Sequence, residues 1–212
     1  IKPLFLDDLY EEFAKVKHRK SELTKFHDRL ATLTFLDPAC GCGNFLVITY
    51  RELRKLEHKV IEAIYGKNMG LFEVGEHGVV KCDVNQMYGI EIEEFPSLIA
   101  QTALWLTDHQ MNREFSKLSG HSFKRLPLLK SANIHHANAL TTPWESVIEP
   151  QKLNYVLGNP PFIGSKMMDN IQREELLQYF DEIRGAGVLD YVCAWYAKTA
   201  RTMISKNHNI KA

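Results

Sequence analysis

The 212-residue sequence has no net charge: 26 Lys and Arg balance 26 Asp and Glu. A domain that grips nucleic acid unaided is usually basic, because phosphate contacts supply most of the nonspecific affinity. Nucleic acid is not excluded as a substrate, but much of the grip would then lie elsewhere. Long apolar runs are also missing. The run Phe45 to Ile48 falls far short of the roughly 20 residues that cross a bilayer. No secretory signal opens the chain, so no membrane association and a cytoplasmic location are expected. A cysteine framework is absent too. Of the four cysteines at 40, 42, 82 and 193, Cys40 and Cys42 are separated by a single Gly. Structural zinc usually asks for two or more intervening residues, and no second Cys or His pair has zinc spacing. Reduced, metal-free cysteines are expected. An initiating Met is lacking as well, and the sequence reads as though cut from a longer chain.

What is present is alternation. Residues 1–33 are charged and helical in pattern, with Leu6, Leu9, Phe13 and Val16 at helical spacing. Thr34 to Leu36 reads as a short buried strand ending at Asp37. Phe45 to Ile64 reads as one long helix, Gln86 to Ile92 as a second strand, and Pro96 to Met111 as a helix with Pro at its first position. Asn133 to Ala137 and Tyr155 to Leu157 are candidate third and fourth strands, and Asp190 to Ser205 is helical again. Gly66 to Gly78 looks like an excursion, and Asn112 to Lys130 like an irregular insertion. Strands alternating with helices imply an α/β fold with a mostly parallel sheet and flanking helices. We divide the chain into an N-terminal helical segment, 1–33, and a core, 34–212. In such sheets ligands bind at the carboxyl ends of the strands, near the switch point. The unusual residues fall there.

The first such loop is Asp37-Pro38-Ala39-Cys40-Gly41-Cys42-Gly43-Asn44-Phe45. Gly41 and Gly43 permit tight turns and close approach of a ligand to the main chain. The helix that follows turns its free N–H groups toward the same place. No Gly-Lys-Ser/Thr follows, and the three-glycine dinucleotide fingerprint is missing. A tight strand-to-helix turn alone would use the same glycines. At the end of the second strand, Glu91 is placed to accept two hydrogen bonds from a ribose diol, and Ile92 follows it. Glu93 and Glu94 read as first-turn acids. After the third strand come Asn138 and Ala139, and an Asn side chain offers an acceptor oxygen and a donor. His135 and His136 alternate across a strand, so one is expected packed and one solvated, with no shared metal. The fourth loop is Asn159-Pro160-Pro161-Phe162, an amide, two stiffening prolines and an aromatic ring at the end of an apolar strand.

Asp-Pro-Ala-Cys-Gly-x-Gly-x-Phe resembles the first motif of bacterial DNA amino-methyltransferases, and Asn-Pro-Pro-Phe resembles their catalytic motif. The resemblance implies a Rossmann-like class I methyltransferase fold, here ending before its later strands, that binds S-adenosylmethionine. It places Asp37 near the methionine amino group and the loop 38–45 beside the methionine. Glu91 and Ile92 would take the ribose and adenine, and Asn138 and Ala139 the adenine amine. Asn159 and the Pro160 carbonyl would take the N6 amine of an adenine flipped out of double-stranded DNA, and Phe162 would stack on it. The likeness extends over the whole chain and is densest in 35–48, 88–111 and 153–165. It is nearest to large single-chain enzymes, of type IIG or IIL, that join methylation, restriction and target recognition, and to phage-defence relatives. Their target-recognition region and any nuclease would lie outside these residues.

Two alternatives remain open. The same Asn-Pro-Pro-aromatic motif occurs in enzymes that methylate a glutamine amide of release factors. The chain could also be a cofactor-binding fragment without activity of its own. Cytosine-C5 chemistry needs a nucleophilic cysteine, usually after Pro, and no cysteine here follows a Pro. N4-cytosine enzymes more often carry Ser at the position of Asn159.

Overall fold

A computed structural model describes residues 1–66, 79–119, 132–180 and 183–212. Four short strands, β1 (Phe35–Asp37), β2 (Met87–Glu91), β3 (Asn133–His136) and β4 (Tyr155–Val156), form one all-parallel sheet in the order β3-β2-β1-β4. Leu36 sits opposite Tyr88 on one side and Val156 on the other. The alternation of a strand sends successive side chains to opposite faces. Phe35, Met87 and Tyr155 enter one apolar cluster, and Leu36, Ile90 and Val156 enter another. A sheet buried on both faces needs apolar residues at every position, which is why β1 reads Phe-Leu before its terminal Asp.

Helices α1 (Asp7–Val16), α2 (Lys20–Leu30), α3 (Asn44–Tyr65) and α4 (Glu94–Ser119) belong to the first face. Phe5, from the turn before α1, packs its ring 4.9 Å from Phe35 and 5.0 Å from Tyr155. The first 33 residues therefore share a core with the sheet. Helices α5 (Asn170–Leu177) and α6 (Cys193–Lys198) cover the second face, where Trp144, Tyr191 and Trp195 are the large buried residues. At the free side of β4, Lys211 makes one parallel bridge to Tyr155, and its carbonyl accepts the Val156 N–H at 2.9 Å. None of the four cysteines is in a disulfide. No helix among the described residues is long and apolar enough to cross a membrane.

Several expectations need correction. The α4 helix begins at Glu94, so Pro96 is its third residue and not its first, and it continues through Ser119. Proline is tolerated there because N–H groups of the first turn have no partner within the helix. The residues 112–119, read as irregular, stay helical because two of them face inward. Phe115 is buried, and the Asn112 side chain accepts from Arg54 at 2.9 Å. The remainder of that insertion, and the excursion after Gly66, lie outside the described residues. The α5 helix was not expected, although Asp169 and Gln172 form a capping box at its start. The helical stretch 190–205 resolves into α6 followed by a wider π-type segment, Thr199–Ile204. Finally, His135 and His136 are both exposed. Among the described residues β3 is the outermost strand on that side, and the His136 ring meets the Ile92 carbonyl at 3.0 Å instead of packing.

Between α3 and α4 lies a buried charge network. The Arg54 guanidinium meets Asp108 at 2.8 Å and Glu57 at 3.1 Å, and Glu57 meets His27 at 3.0 Å. Glu57 also accepts the Lys81 and Cys82 N–H groups, at 2.6 and 2.8 Å. Removing one member strands its partner carboxylates away from water. Arg54→Ala is thus expected to cost about 3–5 kcal/mol of unfolding free energy, read from chemical denaturation. A loss below about 1 kcal/mol would mean that water reaches the network freely.

Candidate cofactor and catalytic site

Strand β1 has β2 on one side and β4 on the other, so the order of the sheet reverses at the carboxyl end of β1. That is the place where an open parallel sheet leaves a crevice. The backbone draws the loops toward it. The Cys40 N–H donates to the Ile90 carbonyl at 3.1 Å, and the Leu157 N–H donates to the Leu36 carbonyl at 2.9 Å.

Asp37 is fully buried at the end of β1. Its Oδ1 accepts the Ala39 N–H at 3.1 Å, while Oδ2 is buried with no hydrogen-bond partner. Burial pushes this carboxyl up to about 7; the Ala39 amide pulls the other way, and nearby Glu91 adds to the rise. A buried carboxylate oxygen without a donor is costly, and a cationic group placed against it would relieve that cost. The two loop glycines divide their work. Gly41 has φ +53 and a side chain there would project into open space. Gly43 has φ +82, and a Cβ would stand 3.0 Å from the Ala100 Cβ and 3.1 Å from its Cα. Gly41 leaves open space beside the backbone. Gly43 spares room for helix α4.

Glu91 is half-buried and ties two loops together. Its Oε2 accepts the Gly41 N–H at 2.7 Å and its Oε1 the Glu93 N–H at 3.0 Å. Each oxygen keeps a lone pair for a hydroxyl. Ile92 is exposed next to it, as are Asn44 and Phe45 at the start of α3. Pro38 is buried and Ala39 half-buried.

The third loop sits one strand farther out. The Asn138 Oδ1 is already used to accept the Leu140 N–H at 2.8 Å, and its Nδ2 donates to Glu175 Oε1 at 2.6 Å. Ala139 is buried in the second cluster and its carbonyl accepts from Trp144 Nε1 and Lys198 Nζ. Only a second lone pair on the Asn138 oxygen is left for a ligand amine.

The fourth loop leaves β4 directly over Asp37. A Cβ on Gly158 would lie 2.5 Å from Asp37 Oδ1, so this position accepts only glycine without a shift of the carboxylate. Asn159 is exposed and its side chain makes no hydrogen bond to any described residue. Pro160 is half-buried, Pro161 is exposed, and Phe162 is 67% exposed. Single exposed apolar side chains are ordinary on a protein surface, and Phe95, Met167 and Val188 are more exposed still; what sets Phe162 apart is its place in the loop that follows Gly158 and Asn159. A cavity of about 500 Å³ opens beside this loop, walled by Pro38, Phe45, Gly158, Pro160 and Trp195 and also by Ile1, Leu4 and Ala212; Asp37, Glu91, Asn159 and Phe162 are not part of its lining.

The sequence gives little sign of the residues that brace these loops from behind. Trp195 Nε1 donates to the Pro38 carbonyl at 3.1 Å. Lys198 is buried and donates to the carbonyls of Ala139, Leu140 and Thr142 at 2.7, 2.9 and 2.6 Å. Burial draws its ammonium down to about 8, with Glu145 opposing. Helical spacing places both residues on one element but does not say that a lysine there turns inward. Gly158 had a sequence signal, a glycine between an apolar strand and Asn-Pro-Pro, that went unused.

Residues 13–212 match the family model of the MmeI DNA-methyltransferase domain. The chain is 38% identical to DNA methyltransferase A of Bacillus subtilis strain 168 over 214 residues, an overlap of 97% of this chain and 24% of that protein. It is 32% identical over 101 residues to a putative type II restriction enzyme and methyltransferase of Methanocaldococcus jannaschii, covering 48% of this chain and 8% of that one. Among solved structures it superimposes on the type IIL restriction–modification enzyme MmeI in complex with DNA. The TM-score is 0.90 at 49% identity, over 99% of this chain and 28% of that one. The chain thus spans about a quarter of the length of the two relatives it matches from end to end.

Proposed function

Since the chain belongs to the family of the MmeI DNA-methyltransferase domain, we propose that it is the methyl-transfer module of a larger restriction–modification protein. Its reaction in that reading moves a methyl group from S-adenosylmethionine to N6 of an adenine turned out of duplex DNA. The observation that carries the reading is the meeting of two loops at the switch point. The buried Asp37 carboxylate, with one oxygen unpartnered, lies directly beneath the strand end that leads through Gly158 into Asn159-Pro160-Pro161-Phe162, all exposed but the half-buried Pro160.

The residues fit the cofactor. The orphan Oδ2 of Asp37 suits the methionine ammonium, and the space over Gly41 suits the methionine chain beside the backbone. Glu91, with a free lone pair on each oxygen, suits the ribose hydroxyls, and Ile92 and Phe45 offer apolar surface to the adenine. When bound, S-adenosylmethionine supplies a methyl on a sulfonium that is already activated. What remains for the protein is positioning and hydrogen bonding at the amine.

The N6 lone pair of adenine is delocalised into the ring and is a poor nucleophile. Asn159 Oδ1 and the Pro160 carbonyl, aimed at the two amine hydrogens, draw the nitrogen toward tetrahedral geometry and free that pair. Both are acceptors on a stretch whose two prolines fix φ, which limits rearrangement of the backbone around them. Phe162 offers its face to the extruded base. The balanced charge of the module supports a reading in which much of the DNA grip lies in the rest of a longer protein, with target recognition and any nuclease there as well.

A glutamine amide also carries an NH₂ that this acceptor pair would suit, so the acceptor needs a direct test. The full-length protein, given methyl-labelled S-adenosylmethionine with duplex DNA and a translation release factor together, is expected to label DNA alone. Label in the release factor alone would replace the reading with glutamine-amide methylation. Label in neither would leave a cofactor-binding role.

A further inference from the structure

We propose that Asp190 is a positioning residue that holds the Asn159–Phe162 segment in place for methyl transfer. It rests on the reading above for what the segment does, and on the hydrogen-bond pattern for how the segment is held.

Two prolines give the segment its stiffness and also take away its means of attachment. Pro160 and Pro161 have no N–H to donate, and residues 157–164 belong to no helix or strand. The last backbone bond before the segment is Leu157 N–H to the Leu36 carbonyl at 2.9 Å. From Gly158 through Phe162, no backbone N–H or carbonyl is bonded to another described residue. The next attachment is at Ile163, and it is double. The Ile163 N–H donates to Asp190 Oδ1 at 3.1 Å, and the Ile163 carbonyl accepts the Tyr191 N–H at 3.0 Å. Five residues with the proposed amine acceptors thus hang between a strand on one side and Asp190-Tyr191 on the other.

Asp190 is itself held. The same Oδ1 accepts the Val192 N–H at 3.1 Å, closing a turn at the entry to α6. Tyr191 is buried, and its hydroxyl donates to the Glu175 carboxylate, which also takes the Asn138 amide. The anchor is therefore a fixed part of the second apolar layer, suited to set where Phe162 and Asn159 stand. Displacing reacting groups by about 1 Å can cost on the order of 100-fold in rate.

Three substitutions separate anchoring from folding. Asp190→Asn keeps an oxygen acceptor at the same reach. Asp190→Ser keeps a hydroxyl for the local turn at Val192 but is too short to span to Ile163. Asp190→Ala keeps neither. In the full-length protein, kcat on duplex DNA is expected to fall about 10- to 100-fold in the Ser and Ala variants, with the Kd for S-adenosylmethionine within about three-fold of wild type. The Asn variant should retain at least about a third of wild-type turnover. Hydrogen exchange of the peptide spanning 158–164 is read in parallel, and the Ile163 amide should lose protection in Ser and Ala but not in Asn. Wild-type kcat in Asp190→Ser, or equal losses in Asn and Ser, would overturn the proposal. So would unchanged exchange at Ile163 in Asp190→Ser. If Asp190→Ala does not fold, the Asn–Ser pair decides alone. A wild-type protein that leaves DNA unmethylated while the exchange pattern follows Asp190 would sink the DNA reading and keep the anchor.

Discussion

Asn159→Ala in the full-length protein is expected to lower methylation of DNA by at least about 10²–10³-fold, while affinity for S-adenosylmethionine stays within a few-fold. The Asn159 side chain is exposed and free of internal partners, so its removal disturbs no packing. In the proposed reaction its oxygen acts on the target amine, and chiefly as that nitrogen becomes tetrahedral, so the loss belongs in turnover and not in cofactor binding. Phe162→Ala should differ in kind. It removes a stacking surface worth about 1–3 kcal/mol, so turnover falls but remains measurable, and Tyr or Trp at 162 restores most of it. Single-turnover rates with matched cofactor titrations make the distinction. A loss of cofactor affinity in Asn159→Ala as large as its loss of rate would move Asn159 from the reaction to the binding of S-adenosylmethionine.

The second large effect concerns Asp37, and its sign is unusual. The carboxyl titrates near 7 in the empty fold against an ordinary value of 3.8. Between about pH 4 and 7 the folded state therefore holds a proton that the unfolded chain has released. Stability from this group is present below about pH 4 and is lost as pH rises through 7, on the order of 4 kcal/mol in all. A methionine ammonium at the orphan oxygen would require the ionised form. Binding then releases a proton below pH 7, and affinity should rise up to about ten-fold per pH unit toward neutrality. Above about pH 8 the ligand's own α-amino group begins to lose its charge, so affinity should level and then fall. Asp37→Asn keeps an acceptor for the Ala39 N–H but meets the ligand with a donor. We expect it to raise thermal stability of the empty protein at pH 8 and to weaken S-adenosylmethionine on the order of 100-fold. Its affinity should also vary little between pH 5.5 and 7. Calorimetric titration of wild type and variant across that range is the check. A wild-type affinity flat from pH 5.5 to 7 would remove Asp37 from the ammonium site.

The strands and the crevice could be read from the sequence because both have local causes. Phe35-Leu36-Asp37 is apolar on both faces and then abruptly charged, which happens where a buried parallel strand opens onto a ligand site. The loop glycines were equally plain, but their separate duties were not. That Gly43 clears Ala100, on a helix far along the chain, follows from how α3 packs on α4. The same contact explains why polar-looking residues beyond Met111 stay helical, since Asn112 answers the buried Arg54. Asn138 illustrates a further limit. Its place after β3 was foreseen, yet Glu175 and the Leu140 amide occupy its amide group, and α5, which supplies Glu175, left only a capping box as its sign. Asp190 was visible as the start of a helix, but its reach to Ile163 depends on how the second layer folds back over the sheet.

The most direct measurement is the chemical identity of the methylated base. Duplex DNA incubated with the full-length protein and methyl-labelled S-adenosylmethionine is digested to nucleosides and the label is separated by chromatography. With Asn159 and the Pro160 carbonyl accepting from an adenine amine, the label runs with N6-methyl-2′-deoxyadenosine and disappears in Asn159→Ala. Label in N4-methyl-2′-deoxycytidine would contradict adenine as the target, and label in 5-methyl-2′-deoxycytidine, or N6 label that persists undiminished in Asn159→Ala, would contradict the assignment of this loop as the amine site.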